Sequence, residues 1–391
     1  MEYRCISADC HIDLAWLPHD LFVSNASQAM KDRMPYVTQG PDGPKWVTKS
    51  GVFLGLANGK GSAGALGGLG GKNYVAGIDH RRDRMAATGL YADGGQGIFR
   101  PTTPALRLQD QERDGIQAEV MYGLLGSGNT MKDHEAALEL YRIYNDWLAN
   151  FCSYDRKRFV GLASIPSYKV EVAVAETRRV AKLGLGGLDF SVVYDMVPLF
   201  DPYWDPFWKA AADANLPVHF HTIGPPPSTP VRPDLPGAFK HAGTATRKAG
   251  FQLFMATILG AMIHGGALER YPTLRMVLGE SGIGWIPYVL DRMDYEYEDR
   301  FRHLLPHMKM KPSDYWRRQC RATFQNDRIG AKLLDDMGLE TVMWGSDYPH
   351  SDGVFPDSQE YIKRQFGHLP GEMQRKITCE NVGKFYGLIP A

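Results

Sequence analysis

Short apolar runs bounded by turn residues recur along the chain. Runs of this length, rich in β-branched and aromatic residues, predict strands that are buried on both faces of a sheet. Eight segments fit the description, and they are residues 4–9, 117–122, 158–164, 186–193, 216–221, 274–279, 319–325 and 341–346. The pattern therefore predicts a buried sheet of eight strands.

Helical periods lie between several of these strands. Apolar residues three and four positions apart predict amphipathic helices, and the clearest segments are 134–151, 170–183, 249–270 and 286–303. Alternating strands and helices are typical of the α/β class with parallel strands. Eight such units favour a single (β/α)8 barrel domain over residues 1–391, rather than an open doubly wound sheet.

A long insertion interrupts the first unit of the predicted barrel. Residues 10–116 separate the first two strands, whereas a crossover needs far fewer residues. We therefore expect an insertion, or lid, over residues 35–105. Its glycine-rich stretch, residues 51–71, contains Lys60 as its single charged residue, and this composition predicts a mobile lid or a partner-contact loop.

Two segments of the insertion have chemical interest of their own. Residues 55–62 partly resemble a phosphate-binding loop, but the glycine spacing is one residue short and Gly61 replaces the Ser or Thr that follows the lysine. Residues 80–85 form a basic cluster that fits an acidic substrate or, more commonly, a solvated charged surface. Neither segment predicts nucleotide binding.

Composition and charge exclude several classes of protein. Hydrophobic residues make up 44% of the chain and aromatic residues 11%, which is enough for a large core and excludes disorder. The 44 basic and 44 acidic residues cancel, so we expect no nucleic-acid partner. The chain has no apolar run of membrane-helix length and no signal-peptide pattern, which predicts a cytoplasmic protein without a membrane partner. Five scattered cysteines without a CxxC pair predict reduced thiols.

Residue types that bind metal ions end three of the predicted strands, where barrel enzymes place their active sites. Asp9 and His11 end the first strand and, being two positions apart, face the same way. His221 ends the fifth strand and Asp347 follows the eighth. A lone residue of this kind is more often a helix cap or a satisfied hydrogen bond, but three strand ends together favour one divalent metal site. Two imidazoles and two carboxylates suit zinc, manganese or iron without selecting among them.

Other candidates lie near the same predicted mouth. Glu280, between glycines after the sixth strand, fits a metal ligand with or without a second ion, a general base, or a helix cap. His350 fits a donor to a substrate carbonyl or carboxylate, or an exposed loop histidine. His219, Trp285 and Tyr348 are candidates for substrate contacts, although core packing is the commoner fate of aromatic residues.

Five motifs carry a family resemblance. They are ADCHID at 8–13, LPVHFHTIG at 216–224, LERYPTLRMVLGESGIGWIPY at 268–288, MWGSDYPHSDG at 343–353 and ENVGKFYGL at 380–388. Together they resemble the amidohydrolase-related, metal-dependent group that includes aminocarboxymuconate-semialdehyde decarboxylase. The similarity covers nearly the whole chain except the insertion.

The resemblance implies a distorted (β/α)8 TIM barrel with one catalytic divalent metal and a small-molecule substrate. The implied metal ligands are Asp9, His11, His221 and Asp347. It also implies a homodimer, and residues 290–305 mix aromatic and charged residues as interfaces do, although a solvated outer helix has the same pattern. Many relatives have a histidine in place of Asp9, and well-studied decarboxylases have a histidine in place of Glu280.

The second departure guides the predicted reaction. An anionic Glu280 would repel the carboxylate of a decarboxylase substrate in a pocket of low dielectric. Hydrolysis benefits from the same group, because Glu280, together with Asp347, could accept the proton of a metal-activated water. We therefore predict a hydrolase that cleaves an amide, ester, thioester or activated C–C bond of a small, largely apolar acid. The alternatives are a nonoxidative decarboxylase of an aromatic or unsaturated acid, and an inactive barrel used as a binding scaffold.

Overall fold

The computed structural model describes residues 2–41, 43–59, 81–193, 195–222 and 234–390. The strands in these ranges are β1 Ile6–His11, β2 Tyr36–Gly40, β3 Gly43–Val47, β4 Phe53–Leu56, β5 Ala118–Tyr122, β6 Phe159–Ile165, β7 Gly187–Phe190, β8 Val218–His221, β9 Met276–Gly279, β10 Cys320–Phe324 and β11 Val342–Trp344. Strand β1 and strands β5 to β11 form one eight-stranded sheet in chain order, with parallel pairing throughout. All eight predicted strands are present, and the predicted (β/α)8 barrel is confirmed.

Residues beyond the end of β11 bring the two edges of the sheet together. The backbone N–H of Asp347 donates to the carbonyl of Asp9 at 2.8 Å, and the N–H of His11 donates to the carbonyl of Tyr348 at 2.7 Å. A bridge also joins Cys10 to Tyr348 in parallel register. The barrel therefore closes at its carboxyl end, where the predicted metal ligands of β1 and Asp347 lie.

Helices follow most of the strands. They are α1 Leu21–Asn25, α2 Arg81–Ala87, α3 Leu90–Gly95, α4 Pro104–Asp114, α5 His134–Ser153, α6 Val170–Val180, α7 Asp205–Asp213, α8 Gly237–Gly250, α9 Met255–His264, α10 Ala267–Arg270, α11 Ile286–Glu296, α12 Pro312–Gln319, α13 Leu334–Met337, α14 Ser358–Phe366, α15 Gly371–Arg375 and α16 Asn381–Phe385. The predicted helices at 134–151 and 170–183 correspond to α5 and α6. The one predicted at 286–303 corresponds to α11 with a π-helical turn at Tyr297–Phe301.

The prediction of one continuous helix over residues 249–270 is wrong. Helix α8 ends at Gly250, a 3-10 turn covers Phe251–Phe254, and α9 and α10 follow as separate helices. Gly266 takes a left-handed φ of +73°, which glycine adopts readily and other residues rarely do. The apolar spacing is continuous over residues 249–270, but this break and the 3-10 turn divide the segment into separate helices.

The insertion contains a small antiparallel sheet, β2-β3-β4, and helices α2 and α3. Trp46 is fully buried and its indole N–H donates to the carbonyl of Leu14 at 2.8 Å, so the sheet packs on the loop that follows β1. Residues 60–80 lie outside the described residues. Most of the glycine-rich stretch, part of the segment that resembles a phosphate-binding loop and the start of the basic cluster are therefore not described, and the lid stays a prediction.

Apolar side chains fill the barrel below the polar end. A cluster of fully buried residues lines its interior, comprising Ile6, Ala8, Ala118, Val120, Leu162, Val277 and Met343, and Val382 of α16 joins it. The polar residues at the carboxyl ends of the strands thus lie on an apolar floor. All five cysteines are buried and free, as predicted. No helix in the described ranges is long and apolar enough to cross a bilayer.

Candidate metal centre

Strand β1 brings the first two candidate ligands into the barrel. Asp9 and His11 are fully buried, and His11 Nε2 lies 3.4 Å from Asp9 Oδ1. Cys10, between them, packs into the outer core instead, as the alternation of side chains along a strand requires. The same His11 Nε2 lies 3.0 Å from Asp347 Oδ1. The two edges of the barrel therefore contribute three of the four predicted ligands to one place.

Strand β8 adds the fourth predicted ligand. His221 Nε2 lies 3.8 Å from Asp9 Oδ1 and 3.7 Å from Glu280 Oε2. The rings of His11 and His221 meet edge to face, with their centroids 4.7 Å apart. One ligand atom from each of Asp9, His11 and His221 lies within 4.8 Å of the others. Asp9, His11 and His221 thus form one group, Asp347 joins it through His11, and Glu280 lies beside His221.

Backbone geometry directs the two carboxylates that follow strands β9 and β11. Glu280 has a φ of +48° and Asp347 a φ of +60°, a conformation that non-glycine residues adopt rarely and usually at functional sites. The N–H of Glu280 donates to Asp9 Oδ2 at 2.8 Å, which holds the turn after β9 against β1. The strained turns therefore place both side chains at the mouth of the barrel.

Other contacts orient the candidate ligands. Besides the N–H of Glu280, the hydroxyl of Thr323 donates to Asp9 Oδ2, which leaves Oδ1 free to face the histidines. Asp13 Oδ1 lies 3.6 Å from His11 Nδ1, and the carbonyl of Thr222 lies 3.2 Å from His221 Nδ1. A hydrogen-bond partner on Nδ1 sets the tautomer and leaves Nε2 for a metal. His221 has such a partner, whereas His11 Nδ1 faces Asp13 without a hydrogen bond.

Unsatisfied polar atoms test whether a metal fits this place. Among the buried side-chain atoms without a hydrogen-bond partner are Asp9 Oδ1, the Nε2 atoms of His11 and His221, and both carboxylate oxygens of Asp347. Burying such groups unpaired is costly. A divalent cation between them would satisfy all four side chains, and two nitrogens with carboxylate oxygens suit zinc, manganese or iron. The residues present therefore fit the metal that the sequence predicts.

The charges at the centre depend strongly on one another. Burial alone would raise the pKa of Asp9, but the nearby imidazoles of His11 and His221 hold it below its usual value. Burial alone would lower the pKa of His11, but Asp13, Asp347 and Asp9 raise it well above its usual value. The neighbouring carboxylates therefore favour the protonated imidazole of His11, and a metal bound at Nε2 would compete with that proton.

Glu280 and His350, both predicted to act in catalysis, flank the quartet. Burial, and then the charges of Asp347 and Asp352, raise the pKa of Glu280 well above its usual value. The ring of His350 stacks on that of His11, with the centroids 3.8 Å apart. His350 Nδ1 lies 3.0 Å from Asp347 Oδ1, and its Nε2 lies 2.7 Å from an oxygen of Asp13. Both residues are thus within reach of the candidate centre.

Three residues that the sequence predicts to contact the substrate form hydrogen bonds within the protein. His219 is fully buried one strand layer below His221, with Nδ1 near the carbonyl of Leu188 and Nε2 2.7 Å from the Tyr386 hydroxyl. The hydroxyl of Tyr348 donates to Asp110 at 2.8 Å, and the indole N–H of Trp285 donates to the carbonyl of Ser281 at 2.7 Å. Their polar atoms are bonded within the protein, and their contacts with a substrate stay predictions.

Three residues near the centre were missed by the sequence analysis. Asp189, within β7, is buried with Oδ1 unpaired, and burial raises its pKa to about 6. Tyr122, at the end of β5, has an unpaired hydroxyl and its ring lies 4.9 Å from that of His221. The sequence does indicate Asp189 as a candidate, because it is an acidic residue within an otherwise apolar strand. Lys248 of α8 pairs with Asp352 at 2.7 Å, and no local pattern distinguishes it from other helical lysines.

Comparisons with known proteins agree with this architecture. The chain is 25% identical over 291 residues to the 2-amino-3-carboxymuconate-6-semialdehyde decarboxylase of Dictyostelium discoideum, covering 73% of this chain and 77% of that protein. The structure of the 5-carboxyvanillate decarboxylase of Sphingomonas paucimobilis matches with a TM-score of 0.61 and 26% identity, over 72% of this chain and 82% of that one. These relatives are decarboxylases.

A second structure shares the fold. The dihydroxybenzoic acid decarboxylase of Polaromonas sp., solved with bound manganese and the inhibitor 2-nitroresorcinol, has a TM-score of 0.62 at 22% identity, over 79% of this chain and 94% of that one. The sequence profile of the amidohydrolase family, Amidohydro_2, matches residues 83–388. This match covers more than half of the chain and most of the barrel. The chain therefore belongs to the amidohydrolase family.

Proposed function

We propose that this protein is a metal-dependent, nonoxidative decarboxylase of an aromatic or unsaturated carboxylic acid. The observation that carries the proposal is the convergence of Asp9, His11, His221 and Asp347 in a chain similar to decarboxylases over nearly three quarters of its length. The sequence alone favours hydrolysis on the premise that Glu280 is an anion. The relatives favour the other reaction.

The quartet is the proposed site of one divalent ion. Manganese has support from the Polaromonas decarboxylase structure, and zinc and iron suit the same donor set. When bound, such an ion supplies positive charge that holds a substrate carboxylate and stabilises negative charge as the bond to carbon breaks. Glu280 as an additional ligand, and a second ion beside it, remain predictions of the sequence analysis.

The burial of Glu280 weakens the charge repulsion that speaks against decarboxylation in the sequence. Burial and neighbouring carboxylates raise the pKa of Glu280 well above its usual value, which favours the neutral carboxyl. A neutral carboxyl does not repel a substrate carboxylate. Loss of CO2 leaves an electron pair on carbon, and one proton must replace the carboxylate. In our proposal, Glu280 donates that proton to the carbon and recovers it from solvent. Atoms and charge balance in this reaction, since RCOO⁻ plus one proton gives RH and CO2.

Hydrolysis is the second candidate, on one specific observation. Glu280 Oε2 lies 3.7 Å from His221 Nε2, so the carboxyl is also beside the place where a general base for water would act. Exchanging Glu280 for Gln removes a proton donor in one reaction and a base in the other, and we expect turnover to fall by about a hundredfold or more in either case. That variant tests Glu280 without separating the two reactions.

Isotope labelling distinguishes decarboxylation from hydrolysis. We propose to incubate the manganese-loaded protein with 2,6-dihydroxybenzoate and 5-carboxyvanillate as substrates for decarboxylation, and with phenyl acetate as an ester for hydrolysis, first in D2O and then in water enriched in ¹⁸O. Decarboxylation releases one CO2 for each product molecule and places one deuterium on the carbon that held the carboxylate. Hydrolysis places ¹⁸O in a new product carboxylate or hydroxyl and releases no CO2. If turnover gives labelled oxygen without CO2, the proposed function is wrong.

A further inference from the structure

A lysine and an aspartate form an ion pair at the rim of the candidate centre. Lys248 belongs to α8, which precedes the turn that contacts the end of β9, and Asp352 belongs to the loop after β11. Lys248 Nζ lies 2.7 Å from Asp352 Oδ2. The pair therefore joins two segments that come from neighbouring parts of the barrel mouth.

Contacts of Lys248 and its neighbours link α8 to the turn after β9. Lys248 Nζ lies 4.9 Å from the centroid of the Phe251 ring. One residue further on, Gln252 donates from Nε2 to the carbonyl of Glu280 at 2.9 Å. Partial burial alone would lower the pKa of Lys248, but Asp352 raises it above its usual value, with contributions from Glu280 and Asp347. The ammonium group therefore interacts with carboxylates of the mouth.

The mouth is rich in carboxylates. Asp9 and Asp347 belong to the quartet, and Asp13 and Glu280 lie beside it. Burial raises the pKa of Glu280, so Asp9, Asp13 and Asp347 supply most of the negative charge. A divalent ion would balance two negative charges, and a substrate acid would bring one more. A cation at the rim compensates for this excess, because like charges repel strongly where water is partly excluded.

We propose that Lys248 binds the carboxylate of the substrate by exchanging Asp352 for it. This inference rests on the proposed function only in that the substrate is an acid. The side chains of Lys248 and Asp352 are 49% and 33% exposed, and exposed ion pairs of this kind are weak. A substrate carboxylate, held deeper and with less water, competes well for the same ammonium group. In the absence of substrate, Asp352 thus pairs with the ammonium group that later binds the substrate carboxylate.

Lys248 contributes to substrate binding rather than to the chemical step. Lys248 stabilises the full negative charge of the bound acid, and that charge leaves the carboxylate as CO2 forms. An interaction made mainly in the ground state affects KM more than kcat. With any acid that is turned over, Lys248→Met should therefore raise KM by about tenfold and change kcat far less. Lys248 is a binding residue in this scheme, and it transfers no proton.

The test measures binding of benzoate and of benzyl alcohol, its uncharged analogue, to the manganese-loaded protein by isothermal titration calorimetry. We expect Lys248→Met to weaken benzoate binding by about tenfold and leave benzyl alcohol unchanged, with Lys248→Arg close to wild type. We expect Asp352→Asn to tighten benzoate binding by about two- to fivefold, because it frees the ammonium group. A purely structural ion pair cannot give opposite signs for its two partners.

Matched controls come from another exposed pair. Lys209 and Asp213 of α7 are also 2.7 Å apart and are 62% and 61% exposed, so Lys209→Met and Asp213→Asn should leave benzoate binding unchanged. The proposal is overturned if Lys248→Met binds benzoate as the wild type does, or if Asp352→Asn weakens binding. Benzoate binding needs no turnover, so failure of the proposed decarboxylation and failure of this inference are separate results.

Discussion

His219 and His221 show how depth alone separates two residues of one type. They are two positions apart on β8 and face the same way. His221 Nε2 has no hydrogen-bond partner in the described part of the chain and faces Asp9 and Glu280. His219 lies one layer deeper, where Nε2 is 2.7 Å from the Tyr386 hydroxyl. Because a carbonyl can only accept, Nδ1 of His219 donates to Leu188 and Nε2 accepts from Tyr386.

The buried neutral imidazole predicts a particular pH dependence of stability. Burial lowers the pKa of His219 to about 3, whereas an unfolded histidine titrates near pH 6.5. Between these values only the unfolded chain binds the proton, so the free energy of unfolding falls as the pH falls below about 6.5. By pH 5 this histidine alone should cost about 2 kcal/mol.

The check is urea unfolding of wild type and His219→Asn at pH 7.5 and pH 5. The variant should be the less stable protein at pH 7.5, because it loses the bond to Tyr386. Its stability should fall less on acidification, so the difference between the two proteins should shrink by about 2 kcal/mol at pH 5. Parallel pH curves for the two proteins would contradict the assigned neutral state.

At the scale of elements, the centre depends on a close approach between the end of β11 and β1. Gly345 follows β11, and a Cβ built on it would lie 2.6 Å from Cβ and 2.8 Å from the backbone nitrogen of Asp9. Backbone cannot move aside as a flexible side chain can. Glycine is therefore required at this position for the barrel to close and for Asp347 to reach β1.

Gly345→Ala should separate the two edges of the barrel. We expect the free energy of unfolding to fall by about 1–3 kcal/mol, the usual cost of overpacking, and manganese affinity to fall because Asp347 moves away from His11. Chemical unfolding and metal titration measure the two effects. Gly371→Ala is the control, since a Cβ there meets no atom within 4 Å. Equal behaviour of the two variants would show that the approach of β11 to β1 is not tight.

The whole molecule links metal binding to folding, because the quartet comes from β1, β8 and the segment after β11. These parts are brought together only in the closed barrel. A ligand that binds the folded state alone stabilises it, by about 2.7 kcal/mol when its free concentration is one hundred times its Kd. The unsatisfied atoms of the quartet should therefore become a source of stability when a metal binds.

Removing the metal should lower the thermal midpoint of unfolding. We expect a chelator to reduce the Tm by several degrees, and added manganese to restore it after the chelator is removed. His221→Asn should have a low Tm that manganese does not change, whereas His219→Asn should keep the response to manganese. Differential scanning calorimetry gives these values. A Tm that is independent of the metal in the wild type would contradict the proposed centre.

The sequence by itself determined the barrel and the place of its polar end. Eight apolar runs of strand length predict β1 and β5 to β11, since local patterning depends only on which side chains each strand buries. Asp9, His11, His221 and Asp347 could also be chosen from the sequence, because the carboxyl ends of barrel strands meet at one mouth. The helix predicted at 249–270 failed, since a glycine break leaves the apolar period intact.

Only the tertiary structure decided the depth, the charge and the partner of each candidate. His219 and His221 are equivalent in the strand pattern, and the layer beneath the mouth assigns one of them to Tyr386. Glu280 was expected to be an anion, and its burial among Asp347 and Asp352 raises its pKa. Lys248 meets Asp352 across 104 residues of chain. Burial and long-range charge depend on which elements pack together, and a local pattern contains no record of that packing.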